Sequence, residues 1–306
     1  MHPFRFAVRA IGPRSAEGWL AQARRAEELG YSSLLMPDHL IDQLSPVPAL
    51  AAAAGATTRL RIGVHVFAND YRDPVMLARE AAALDILSQG RLEFGIGAGW
   101  MASDYRQLGI PYDEPKVRID RLLEAISIMT RLFAGERVDH EGTHYRVHGA
   151  TIGTLPVQRP RPPLVIGGGG PRMLRIAARE ADIVSFIPQM SPQGRPRVRE
   201  ATTDATAAKV ARVREAAGAR FEKLELCSWT AHVNVADVHR PFAAIGAGLE
   251  AIASALIGTP YVLAGTRGAI REQLLRYRER LAISYWTIPV DGMEEFAPIA
   301  ASLAGR

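Results

Sequence analysis

The sequence predicts a parallel (β/α)8 barrel, a TIM barrel, with an insertion after its fourth helix. Eight short apolar segments alternate with helical ones along the 306 residues, the count such a barrel requires. The segments are apolar almost throughout, as strands covered on both faces must be. No linker or internal repeat interrupts the alternation, so residues 1–306 read as one domain. A doubly wound open sheet, built from the same alternation, is the competing architecture.

The first strand is "FRFAVRA" (4–10), with apolar residues at alternate positions. "SAEGWLAQARRAEELG" (15–30) follows as a helix, capped by Ser15 and stopped by Gly30. "YSSLLMPDHL" (31–40) is a strand ended by Pro37, "VPALAAAAGAT" (47–57) a helix, and "RLRIGVHVFA" (59–68) the third strand. Asp73 caps the helix of residues 73–90, with Pro74 at its first position and Gly90 closing it. "LEFGIG" (92–97) is the fourth strand, followed by no immediate helix, and residues 114–135 form the long fourth helix. Residues 137–162 are too long for a plain connection, lack helical period and carry glycine and proline, which reads as a hairpin-like insertion. Strands recur at 163–168, 182–187, 224–235 and 283–290. Helices are expected at 171–180, 197–218, 240–258, 266–281 and 294–303.

Composition narrows the function. With 48% hydrophobic residues the chain can bury a large core. Its net charge of +5 comes mostly from arginines interleaved with acids, without a dense basic block, so no nucleic-acid partner is expected. The N-terminus has no charged region followed by a long apolar stretch, and no run of about 18 apolar residues occurs. No membrane partner is expected, and the location is expected to be cytoplasmic. The single cysteine, Cys227, excludes an internal disulfide framework and reads as a buried small hydrophobe. His65, His140, His144 and His148 lack a metal-ligand pattern with carboxylates, so no metal is expected.

Two glycine clusters follow strands. "GGGGPR" (167–172), with Pro171 opening a helix and Arg172 in its first turn, suits a phosphate at a helix N-terminus. A side chain at Gly169 is expected to exclude the phosphate while leaving the fold intact. "GIGAGW" (95–100) lacks the glycine spacing of a dinucleotide fingerprint and reads as flat backbone against a planar ring. One site for a ring and one for a phosphate suit a flavin-like cofactor. Arg195, Arg197 and Arg199 after the sixth strand are candidates for meeting an acidic cofactor tail, or a solvated face. Tyr285 and Trp286 read as core.

"SLLMPDHL" (33–40), residues 65–100 from "HVFANDYRD" to "GIGAGW", "YRQLGIPYDEPKVRIDRLLEAI" (105–126) and "PVQRPRPPLVIGGGGPRML" (156–174) resemble the luciferase-like monooxygenase superfamily, in particular its coenzyme F420-dependent oxidoreductases. The resemblance covers nearly the whole chain. It implies a bacterial luciferase-like barrel with a deazaflavin or FMN at its C-terminal mouth, and a homodimer. Asp38 and His39 match the Asp-His pair near the deazaflavin ring. The segment from Val64 to Asn69, including Val66, matches the strand where the family has a non-proline cis bulge supporting the ring. Gly97, Ala98, Gly99 and Trp100 match the pyrimidine side, and Gly168, Gly169 and Gly170 the phosphate loop. Sugar-phosphate dehydrogenases of this group carry glutamate where this chain has Trp100, which points away from that chemistry.

The resemblance therefore implies an F420-dependent oxidoreductase moving a hydride between the deazaflavin C5 and a small-molecule organic substrate. His39 is the candidate proton donor or ring-positioning residue, since histidine titrates nearest neutrality. The alternatives are an FMN-dependent monooxygenase using dioxygen and a separate reductase, and a cofactor-binding protein without activity.

Overall fold

The computed structural model of the chain describes residues 2–11, 15–189, 191, 197–235 and 256–306. β1 (Arg5–Arg9) leads to α1 (Ala16–Glu28), and β2 (Ser33–Met36) to α2 (Pro46–Ala56). β3 (Arg61–Val64) and β4 (Phe67–Ala68) precede a 3-10 turn at Asn69–Tyr71 and α3 (Pro74–Leu87). Next come β5 (Leu92–Gly97), α4 (Ala102–Leu108) and α5 (Pro115–Phe133). β6 (Val138–Glu141) and β7 (Arg146–Ala150) form an antiparallel hairpin before β8 (Leu164–Gly168) and α6 (Pro171–Glu180). β9 (Ile183–Phe186), α7 (Thr203–Ala217), β10 (Glu225–Trp229) and β11 (His232–Val235) follow. β12 (Val262–Gly265), α8 (Arg267–Leu281), β13 (Ile283–Pro289) and α9 (Met293–Leu303) complete the chain.

The fold is a (β/α)8 barrel. Its strands run in the order β3-β2-β1-β13-β10-β9-β8-β5-β4, and β3 also pairs with β5. β3 and β4 occupy one strand position, since Ile62 and Phe67 both align in parallel with β5, at Leu92 and Ile96. The His65–Val66 peptide between them is cis. Counted this way the ring has eight positions, each at a predicted strand.

By internal contacts the chain divides into two compact units. Unit 1 comprises residues 1–10, 25–34 and 167–306. Its core stacks Phe6 against Phe296 edge to face and buries Tyr285, Trp286 and Cys227. Unit 2 comprises residues 11–24 and 35–166. There Phe94 packs against Phe67 on one side and Phe133 of α5 on the other. Arg91 ties the start of β5 to the end of α2, donating to the carbonyls of Ala54, Leu60 and Ser88.

Two expectations change. The strand predicted over 224–235 is two strands: at Ala231 the backbone N–H turns to the Tyr261 carbonyl at 2.7 Å, and β11 pairs in parallel with β12. A helix, α4, does follow the glycines of "GIGAGW" after only Met101, where none was expected. The helix predicted over 240–258 falls almost entirely outside the described residues. Among the described residues no helix is long and apolar enough to cross a membrane.

Candidate active site

In unit 2, β2 stops at Met36, and Pro37 directs the chain out of the sheet. The next two residues have different tasks. Asp38 is only 6% exposed, and both its oxygens are engaged by its own chain. Oδ1 and Oδ2 receive the two Arg72 Nη groups at 2.9 and 2.6 Å, and Oδ2 also accepts the Ala68 N–H at 3.0 Å. A bidentate pair of this kind fixes geometry as well as charge. Asp38 thus anchors the segment that follows the cis peptide.

His39 is less completely enclosed than Asp38. Its Nδ1 lies 2.8 Å from Asp104 Oδ2, and its ring meets Trp100 edge-on, centroids 5.3 Å apart. The His39 side chain is 20% exposed, whereas that of Asp104 is 1% exposed. Tyr71 donates its hydroxyl to the same Oδ2 at 3.0 Å. Burial, with Asp104 alongside, pushes the Tyr71 phenol well above its ordinary range, so it stays a neutral donor. Asp104 Oδ1 is buried without a hydrogen-bond partner among the described residues.

A second network backs the first. Asp70 accepts from Tyr105 at 3.0 Å and from Arg121 at 2.8 Å, and Arg121 also reaches Asp113 at 2.5 Å. The Asn69 amide donates to the Tyr145 hydroxyl at 3.0 Å and to Asp70 at 3.3 Å. Its side chain therefore serves the protein's own network. A cavity of about 390 Å³ adjoins these residues, within the range of small-molecule pockets. Both arginines lining it, Arg72 and Arg121, are already committed to carboxylates.

The glycines separate into those the fold requires and those it leaves open. A Cβ at Gly95 would run into the Val64 carbonyl oxygen. Gly99 has φ +72°, a Cβ there would run into the Tyr105 hydroxyl, and Arg118 donates to its carbonyl. Both are needed by the chain itself, apart from any ring. Gly97, Ala98 and Trp100 stand at the end of β5 and just beyond it.

In unit 1, Gly168, Gly169 and Gly170 lead from β8 into α6. A side chain at Gly169 would collide with the Ile187 carbonyl oxygen, so the expectation of an intact fold on substitution there is corrected: backbone packing demands this glycine. Gly170 differs. Among the described residues the nearest atom to a Cβ there is Gln189 Nε2 at 3.9 Å, and no side chain caps the helix that begins at Pro171. Its first N–H groups have no acceptor within the helix. Arg195 lies outside the described residues, and Arg197 and Arg199 are exposed.

Sequence reasoning missed Asp104 and Tyr71. Tyr71 lies within the 65–100 segment that carries the resemblance, where nothing marks its hydroxyl for a buried acid, and Asp104 falls between the resembling segments, 65 positions from His39 in sequence.

Barrel strands with an acid–histidine pair after the second strand and an uncapped glycine turn before α6 describe a luciferase-like enzyme scaffold. The chain belongs to the luciferase-like monooxygenase family, whose model matches residues 1–281. A curated relative from Microbacterium testaceum, named F420-dependent glucose-6-phosphate dehydrogenase, is 35% identical over 189 residues, 59% of this chain and 55% of the relative. One of the same name from Intrasporangium calvum is 36% identical over 168 residues, 52% and 50% of the two chains. The chain thus spans about half the length of the curated relatives it matches. Among solved structures, the coenzyme F420 dependent tetrahydromethanopterin reductase from Methanopyrus kandleri matches with a TM-score of 0.79 over 99% of both chains, at 16% identity. At that identity the likeness is one of fold.

Proposed function

We propose that this protein is an F420-dependent oxidoreductase acting on a small organic substrate, with His39 at the reacting centre. The observation that carries the reading is His39 itself: it follows the carboxyl end of β2, is held by Nδ1 to a buried carboxylate, and has a side chain that stays 20% exposed. The names of the similar relatives supply the cofactor.

The residues present fit such a group. Among the described residues nothing crowds Gly170 or caps the helix N-terminus that follows it, and backbone N–H groups there are the donor set a phosphate needs. Asp38 holds the segment carrying Val66 and Asn69, and Gly97, Ala98, Gly99 and Trp100 offer backbone and an aromatic edge for a ring. Bound F420 would supply a two-electron carrier that exchanges a hydride at C5. The chain's own task is to orient the substrate and to hold or move its proton at His39.

Glucose 6-phosphate, the substrate named for the relatives, is the first compound to assay. Trp100, where sugar-phosphate dehydrogenases carry glutamate, favours a different small molecule. A homodimer in the cytoplasm completes the reading, with light scattering as the check on its size.

The test pairs fluorescence titration with F420 and with FMN against single-turnover kinetics of His39→Ala. F420 is expected to bind, and His39→Ala to slow hydride transfer about a hundredfold while affinity changes little. Tight FMN binding without F420 binding would replace this reading with a flavin monooxygenase.

A further inference from the structure

We propose that Asp104 is the positioning residue of this site: it fixes His39 as the Nδ1–H tautomer, so that Nε2 is the atom that exchanges a proton with the substrate. The inference rests on the placement of His39 at the reacting centre argued above.

A carboxylate can only accept hydrogen bonds, so the 2.8 Å contact to Asp104 Oδ2 makes Nδ1 the donor. The lone pair then belongs to Nε2. Rotation about the ring axis is opposed by Trp100, whose edge-on contact closes one side. Asp104 has little purely structural reason to be charged. It caps nothing: the N-cap position of α4 is Met101, and the described donors to its side chain are His39 and Tyr71. Burying a carboxylate at 1% exposure is costly unless its charge is used. Tyr71 takes part of that charge on the same oxygen, limiting how strongly His39 is held. Around this pair stand the Asp38–Arg72 ion pair and Asp70 with Tyr105 and Arg121. Both outer carboxylates are matched by a guanidinium, so among the described residues Asp104 is the carboxylate that faces the imidazole.

The proton step balances for a substrate alcohol. The O–H proton would pass to His39 Nε2 as the C=O bond forms, and bound F420, when present, would supply the two-electron acceptor that takes the carbinol hydrogen with its electron pair. In the reverse direction Nε2–H returns the proton to the carbonyl oxygen.

The first measurement needs no cofactor. In protein carrying ¹⁵N-labelled histidine, in mildly alkaline buffer, His39 signals are assigned by their loss in His39→Asn. They are expected to report the Nδ1–H tautomer, and any other state of the ring would overturn the proposal. Asp104→Asn is near isosteric and should melt close to the parent. It is expected to give mixed tautomers and to lower kcat about a hundredfold with KM within about threefold, while F420 affinity holds. Tyr71→Phe removes the second donor to Asp104 Oδ2 and should leave the Nδ1–H tautomer intact. An Asp104→Asn protein with parental tautomer and parental kcat, beside a slow His39→Ala, sinks the role of Asp104 alone. Failure of F420 to bind, or a fully active His39→Ala, sinks instead the reading beneath it. If Asp104→Asn does not fold, the parental tautomer still decides.

Discussion

Gly169 and Gly170 are neighbours with opposite tolerances, and the difference separates turn chemistry from ligand chemistry. A methyl group at Gly169 meets the Ile187 carbonyl, a rigid backbone atom. Overpacking of this kind costs about 1–3 kcal/mol, so Gly169→Ala should melt several degrees below the parent. Gly170 has φ −82° and ψ 152°, values open to any residue, and among the described residues no atom comes nearer than 3.9 Å to a Cβ built there. Gly170→Asp is therefore expected to melt with the parent and to lose F420 affinity about a hundredfold through like-charge repulsion at the helix N-terminus. Calorimetry followed by titration checks both; full affinity in Gly170→Asp would remove the phosphate from this turn. Legibility at this scale was uneven. Asp38 and His39 stand in a motif, next to a proline that ends a strand. Asp104 lies in "MASDYRQLG", where a lone acid among polar residues resembles a solvated helix face. Only the folded chain reveals it as buried, because its partners, His39 and Tyr71, come from distant loops.

At the scale of elements, Glu124 of α5 holds the tip of the β6–β7 hairpin. Its carboxylate accepts the backbone N–H groups of Tyr145 at 2.7 Å and His144 at 3.0 Å, and the His140 ring at 2.9 Å. Burial alone would push this carboxyl up, but His140 and the two backbone donors outweigh it and hold the group below its ordinary value of 4.5. A depressed folded value means stability that is present above about pH 4.5 and lost as pH falls through the lower folded value. Glu124→Gln should cost about 1–3 kcal/mol at neutral pH, and the gap to the parent should close as the solution is acidified below pH 4.5. Urea titrations at several pH values test this. A pH-independent gap would mean that packing, and not charge, holds the hairpin. The strands themselves were readable because burial on both faces leaves continuous apolar runs. The seven residues of α4 escaped because they are too few to display a period. The break between β10 and β11 escaped because "SWTAHV" contains no turn residue; its cause is the Tyr261 carbonyl, thirty positions further on.

For the molecule as a whole, the choice of cofactor is a question of linkage. A ligand that binds only the folded chain stabilises it by about 2.7 kcal/mol when present at 100 times its Kd. For a chain of 306 residues each kcal/mol moves Tm by roughly 2 °C, so F420 at saturation should raise Tm by about 5 °C. FMN at the same concentration is expected to leave Tm where it was. The net charge of +5 adds little specificity, since exposed charges are screened beyond a Debye length of about 10 Å at 0.1 M salt. The F420 shift should accordingly survive 0.3 M salt nearly intact if the phosphate is bound by backbone N–H groups at a helix N-terminus. It should collapse if a diffuse basic surface is responsible. Among the variants, His39→Ala and Asp104→Asn should retain the shift if, as proposed, His39 serves the substrate's proton and Asp104 only orients His39, whereas Gly170→Asp should lose most of it. A shift with FMN and none with F420 would move the protein to the oxygen-using side of its family. An F420 shift that persists in Gly170→Asp would place the phosphate elsewhere in the chain.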